Sequence, residues 1–234
     1  MDFDPPLIPA RFLRRYKRFF ADFELESGEV VTAACANTGR MSGLLTEGAP
    51  ALIQSAANPK RKLKWDWLIV EADGTWVGCH TATPNTLGLA AVQAGEIEGL
   101  QGYATVQKEK KYGQENSRID LLLTDPNRPP CYVEIKNVHM MLEPGVASFP
   151  DAVTTRGLKH LRELENEVAK GHRAVMLYIV QRGDCHTFRP APEVDPAYAE
   201  GLKKAAEAGV EVMALSCEVT PHFIRLSDSL EIQL

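Results

Sequence analysis

Two short apolar stretches carry the residues best suited to chemistry. Asp120 lies in SRIDLLL, Glu134 and Lys136 lie in CYVEIKNV, and the turn DPNRPP joins them. With the turn centred on Asn127, Asp120 and Glu134 are equidistant from it, so they face each other across a hairpin with both side chains on one face. Lys136, two residues on, shares that face. Opposed carboxylates repel, and between strands this apolar the arrangement calls for a neutralising cation. Mg²⁺ suits it, because hard cations take oxygen ligands: the Asp120 and Glu134 carboxylates and the Ile135 carbonyl. A water activated there would attack a phosphodiester, with Lys136 orienting it or offsetting charge on the phosphate. Glu115, five residues before Asp120, is a further candidate acid. A lone ExK pair on a strand is more often a solvated ion pair; the facing Asp120 makes it a candidate metal site.

Further groups would serve a nucleic-acid partner. Asp151, Thr154, Arg156 and His160 surround a helix start, where Asp151 can cap and where Arg156 and His160, four apart, share a face that would meet a phosphate. Arg156 is kept as a contact residue and His160 is not. Arg40 in the Asn37–Arg40 loop, the Lys60–Lys64 run with Arg61, Lys62 and Lys64, and the Arg11–Arg18 run offer phosphate contacts. Trp65 and Trp67 could stack bases, although tryptophans in a small barrel are more often core; sharing one strand face, they should be buried or exposed together. Gln181, Arg182 and Asp184 end a buried-looking strand and either line the cleft or form a turn. The remaining histidines lack metal-binding spacing, and no phosphate-cradling loop or serine nucleophile motif is present.

The elements that must position these residues fall into two grammars. From Arg11 to Cys79 the pattern is short strands with turn signals. Phe19–Leu25 alternates and turns at Ser27-Gly28 before Glu29–Cys35, and Leu63–Glu71 turns at Asp73-Gly74 and returns through Trp76 to Cys79. About five strands without a helix fit a small β-barrel, of which the OB-fold is the common nucleic-acid-binding form. Thr83-Pro84-Asn85 breaks the pattern, with Asn85 placed to cap a helix running to Gln93, and sets a boundary between residues 1–84 and 85–234. Beyond it, strands at Tyr103–Lys108, Arg118–Thr124, Tyr132–Val138, Ala174–Gln181, Val210–Cys217 and Leu226–Leu234, with helices at Val153–Lys170 and Pro196–Ala208, predict an α/β domain with a mixed sheet.

Composition bounds the setting. A chain of 234 residues buries roughly 70–75% of its unfolded surface and needs no staples. Its five cysteines form no CxxC pair and are odd in number, which argues against a disulfide framework or structural zinc and for a reducing compartment. The acidic, proline-bearing start and the lack of a long apolar run predict a cytoplasmic protein without a membrane span. Net charge is −5, yet residues 1–64 hold ten Lys/Arg and seven Asp/Glu, so positive charge concentrates in the barrel.

SRIDLLL, VEIKNV and the following FPDAVTTRGLKHLREL together resemble the sugar fermentation stimulation protein (SfsA) family. The resemblance extends through Asn37-Thr38-Gly39-Arg40-Met41, Lys60-Arg61-Lys62-Leu63-Lys64, VQRGDCHTFRP, EVDPAYAEGL and GVEVMALSCEV, nearly the whole chain. It implies an N-terminal OB-fold, a C-terminal domain similar to the PD-(D/E)xK nucleases, and DNA binding linked to regulation of sugar use. It maps Asp120, Glu134 and Lys136 onto the nuclease-like motif, with Glu115 as the earlier acid. Ile119 stands where the motif's name has proline, and Ala36 where the family leads one to expect proline. The expected function is a Mg²⁺- or Mn²⁺-dependent nuclease acting on DNA, with RNA and oligomeric state left open. Its rivals are a non-catalytic DNA-binding regulator of sugar metabolism genes and an oligosaccharide-binding barrel.

Overall fold

The computed structural model describes residues 1–58 and 60–234. Its first half is built of β1 (Ile8–Tyr16), β2 (Phe20–Leu25), β3 (Val30–Ala34), β4 (Pro50–Ser55), β5 (Trp65–Ala72) and β6 (Thr75–Gly78). These pair in the order β3-β2-β1-β4-β5-β6, and β5 returns to run parallel to β3 through Ala33↔Trp65 and Ala34↔Asp66. That pairing closes a five-stranded barrel, the predicted OB-fold. Asp73 and Gly74 both take positive φ, the mirror-image turn whose twist suits a tight hairpin between β5 and β6.

The barrel is filled by rings. Phe12 stacks on Trp67 at 5.0 Å between centroids and Phe23 meets Trp67 edge-on at 5.3 Å, while the Trp67 indole N–H donates to the Ile69 carbonyl at 3.0 Å. Trp67 has no exposed surface and Trp65 is half-buried. The two therefore do not share one environment, and Trp67 is core rather than a base-stacking platform. Trp65 stands at the first position of β5, where the strand enters the barrel.

The second half comprises α1 (Thr83–Ala94), β7 (Thr105–Tyr112), β8 (Ser117–Asp125), β9 (Arg128–Val138), β10 (Met140–Glu143), β11 (Val146–Phe149), α2 (Thr155–Ala169), β12 (Arg173–Val180), β13 (Thr187–Pro190), α3 (Pro196–Glu207), β14 (Glu211–Val219), β15 (Ile224–Ser229) and β16 (Glu231–Ile232). A six-stranded mixed sheet has the order β15-β14-β12-β9-β8-β7, with β9, β12 and β14 parallel and the flanking strands antiparallel. β12 reads RAVMLYIV and is buried on both faces, as a central parallel strand should be. On one face Leu87 and Ala91 of α1 pack on Ile135, Val175, Leu177 and Ile179; on the other Leu161 and Leu164 of α2 and Leu202 of α3 pack on Met176 and Tyr178. A small sheet, β10-β11-β13-β16, flanks them.

Two helix starts differ from expectation. Ala82 stands at the α1 cap position without a side-chain cap bond, so Asn85 lies inside the first turn rather than capping it. At α2 the cap is Thr154, whose hydroxyl accepts the Gly157 N–H at 2.9 Å. Asp151 instead reaches the barrel, where it accepts the Met41 N–H at 2.9 Å.

The two folds are joined firmly. Leu52, Leu68 and Ile69 of the barrel belong to the same core as Leu87, Ile135 and Ile179. The Gly78 N–H donates to the Gln181 carbonyl at 2.8 Å, and Gln181 donates through Nε2 to the His80 carbonyl at 3.2 Å and to Asn137 Oδ1 at 2.6 Å. Arg182, fully buried, donates to Asp184 at 2.6 and 2.7 Å, to Asp73 at 2.9 Å and to the His139 carbonyl at 3.2 Å. Gln181 and Arg182 thus serve the joint between barrel and sheet. Phe3 also enters the shared core, with its N–H donating to the His222 carbonyl at 3.0 Å. No helix among the described residues is long and apolar enough to cross a membrane.

Candidate metal and phosphodiester site

β8 and β9 pair as Leu121↔Val133, Leu122↔Tyr132 and Leu123↔Cys131; at the turn Asp125 pairs with Arg128, so an irregularity between Leu123 and Asp125, rather than a turn centred on Asn127, gives this register. The ladder ends at Leu121, and beyond it a side chain takes over the bonding. Asp120 Oδ2 accepts the Ile135 N–H at 2.7 Å and Oδ1 accepts Asn85 Nδ2–H at 2.8 Å. Ile135 therefore contributes its amide to Asp120, while its side chain is part of the core under α1. Asn85, predicted as a cap, orients the acid from the opposite side.

Glu134 is 3% exposed. Its Oε1 accepts from Lys136 Nζ at 2.7 Å and from His160 Nδ1, and Lys136 Nζ stands 3.2 Å from the same imidazole nitrogen. Arg156 Nε–H points to His160 Nε2 at 3.4 Å. A carboxylate only accepts and arginine only donates, so the Nδ1–H tautomer meets both contacts, and the Lys136 approach to Nδ1 is then a contact and not a hydrogen bond. His160, not expected from the sequence to be a contact residue, is buried beside Glu134 and Lys136. Its signal was available in the four-residue spacing from Arg156 on the inward face of α2.

The two carboxylates are held differently. Burial, then the charge of Glu134, pushes the Asp120 carboxyl up to about 6, against the Ile135 amide, Lys136 and Asn85. Burial acts to raise Glu134 as well, but Lys136 and His160 outweigh it and hold that carboxyl below its ordinary value. Environments that drive neighbouring acids apart are characteristic of functional sites. Glu134 Oε2 is buried and has no hydrogen-bond partner. A buried carboxylate oxygen without a donor is costly, and a second acid beside it adds to that cost; an oxygen-seeking cation would relieve both. The donor set thus fits a divalent metal through Asp120 and Glu134, although no three His, Cys, Asp or Glu side chains among the described residues converge to hold one.

Glu115 is not brought to this pair. Glu163, fully buried on α2, accepts the Gln114 and Glu115 N–H groups at 3.0 and 2.6 Å, which pins the turn on the helix, and the Glu115 side chain pairs outward with Arg162 at 3.1 Å. Among the barrel cations, Arg61 is forked onto Asp66 at 2.7 and 2.8 Å, whereas Arg40, Lys62 and Lys64 are exposed. The loop bearing Arg40 is fixed by Arg15, which donates to the Gly39 and Asn37 carbonyls at 3.0 and 2.7 Å.

Comparison with known proteins gives a consistent result. Residues 13–79 match the SfsA N-terminal OB domain, and residues 82–223 match the sugar fermentation stimulation protein RE domain. A sugar fermentation stimulation protein homolog of Maricaulis maris is 54% identical over 234 residues, covering 100% of this chain and 99% of that one. A homolog of Rhodospirillum centenum is 54% identical over 232 residues, covering 99% of each. Among solved structures, that of Pyrococcus furiosus SfsA in complex with Ca²⁺ superposes with a TM-score of 0.89 at 28% identity, covering 100% of this chain and 98% of that one.

Proposed function

The chain belongs to the sugar fermentation stimulation protein family, and from that premise we propose that it is a DNA-binding protein with a Mg²⁺- or Mn²⁺-dependent phosphodiester-cleaving site at Asp120, Glu134 and Lys136. The observation that carries this reading is the buried, unpartnered Glu134 Oε2 beside an Asp120 whose carboxyl is pushed up to about 6. The Ca²⁺ complex of the Pyrococcus furiosus protein supports a hard-cation site, since Ca²⁺ and Mg²⁺ both take oxygen ligands.

Asp120 and Glu134 would hold the ion, which when bound supplies Lewis-acid stabilisation of phosphoryl charge and an activated water. The chain's own residues do the rest. Asn85 and the Ile135 amide fix the Asp120 rotamer, and His160 fixes that of Glu134. Lys136 places positive charge against developing phosphate charge. Arg156, whose Nε is engaged by His160, keeps its terminal nitrogens for phosphate oxygens. The barrel, residues 1–84, would hold the polymer through Arg40, Lys62 and Lys64, and residues 85–234 would cut it.

Binding without cleavage is the second reading. It is favoured by the capture of Glu134 Oε1 by both Lys136 and His160, which leaves that carboxylate a single free oxygen. The sugar-binding alternative loses one of its two candidate stacking rings, because Trp67 is core while Trp65 is half-buried.

The test is incubation of the protein and its Glu134→Gln variant with labelled single- and double-stranded DNA and RNA in Mg²⁺, Mn²⁺ or EDTA. Cleavage that requires metal and is lost in the variant is expected. Tight binding with no cleavage of any substrate would select the non-catalytic regulator.

A further inference from the structure

At the turn end of the β7–β8 hairpin, Lys111 and Arg118 are directly paired across the two strands. Both are exposed, and neither has a hydrogen bond or ion pair among the described residues. Like charges directly opposite on neighbouring strands destabilise a sheet. Lysines on an edge strand commonly guard against edge-to-edge pairing, and Lys108 and Lys110 of β7 meet that need. It does not account for Arg118, which lies on the second strand, opposite a cation of its own sign.

The pair opens onto a groove of about 400 Å³ lined by Lys111, Tyr112, Gly113, Asn116 and Arg118. At the start of β8, Ser117 and Ile119 are buried, Ile119 in the core under α2, while Arg118 and Asp120 alternate with them, so Arg118 and Asp120 share a face. Two residues on a strand span about 7 Å, which places the paired cations next to the carboxylate site.

We infer that Lys111 and Arg118 form a phosphate clamp that holds the backbone of a nucleic-acid strand one step away from the Asp120/Glu134 site. An anion between the two cations turns their repulsion into attraction, and the groove gives the backbone room to lie. The inference rests on the proposed phosphodiester chemistry and assigns the route by which the polymer reaches it: along the β7–β8 hairpin, in addition to the barrel.

The experiment measures binding of fluorescent single- and double-stranded DNA and RNA by anisotropy in EDTA, across a series of KCl concentrations, so that cleavage plays no part. Wild type, Lys111→Gln/Arg118→Gln and Arg40→Gln/Lys62→Gln are compared, with the thermal midpoint of each. The hairpin double variant is expected to bind several-fold more weakly at about 0.1 M salt, with a log–log salt slope shallower by about 1, the signature of one lost phosphate contact. Its Tm should be unchanged or higher, because a repulsive pair has been removed. Affinity and slope equal to wild type, or a fall in Tm that marks the pair as structural, would overturn the clamp while leaving the cleavage site standing. Failure of wild type to bind any of the four polymers would overturn both readings together.

Discussion

Asp120→Asn isolates the cost of keeping a second carboxylate beside Glu134. Burial first, and the Glu134 charge second, raise the Asp120 carboxyl from 3.8 to about 6. The folded value lies above the unfolded one, so the native state prefers the protonated acid. The stability linked to this group is complete below pH 3.8 and is lost as pH rises through about 6. Ionised Asp120 therefore costs about 3 kcal/mol at pH 7.5 but only about 0.5 kcal/mol at pH 4. Asparagine keeps an acceptor for the Ile135 N–H and never ionises. Allowing for relaxation and a re-paired Asn85, the variant should be about 2 kcal/mol more stable than wild type at pH 7.5, or roughly 4–8 °C in Tm for a chain of this size. Thermal unfolding by circular dichroism in EDTA at pH 4 and pH 7.5 reads the difference, and millimolar Ca²⁺ at pH 7.5 should raise wild type alone and narrow the gap. A variant no more stable than wild type at pH 7.5, or a gain of equal size at pH 4, would refute the argument that two carboxylates are forced together here.

Other consequences follow from named contacts. Glu134→Ala leaves the half-buried Lys136 without its carboxylate and should lower stability by about 2 kcal/mol, whereas Glu134→Gln, which keeps an acceptor for Lys136 and His160, should lose less; urea denaturation separates the two. Trp67→Ala removes the ring that Phe12 and Phe23 pack against and should cost about 3–5 kcal/mol, visible as a large drop in the urea midpoint. At Gly78 an added Cβ would stand 2.5 Å from Gln181 Oε1, so Gly78→Ala should loosen the barrel from the sheet, detected as faster amide exchange at Gly78 and its neighbours.

Much of this architecture was legible because its signals are local. The Ser27-Gly28 and Asp73-Gly74 turns fix their hairpins, and the proline-bearing turn between β8 and β9 brings Asp120 to the strand that carries Glu134. What stayed hidden depends on contacts remote in sequence. β10, β11 and β13 are four-residue segments whose pairing is decided by tertiary neighbours, with β11 running parallel to β13 some forty residues later. Phe3 reaches the connection between β14 and β15, more than two hundred residues away, with no local pattern to announce it. Asn85 reads as a cap by residue type, but α1 starts from Ala82 and the Asn85 amide is recruited to Asp120. Glu115 is separated from the site by Glu163, an acid whose only hint in sequence is its place on the inward face of α2.

The shared core under α1 bears on how the molecule comes apart. Leu52, Leu68 and Ile69 are buried against Leu87, Ile135 and Ile179, and the Arg182 guanidinium is held by acceptors drawn from both halves. A barrel severed near residue 80 would present those leucines and isoleucine to water and leave Asp73 without its cation, a surface prone to self-association. The boundary that separates two folds by topology therefore does not separate two folding units. The chain should melt in a single cooperative transition, and neither half should be a soluble fragment by itself.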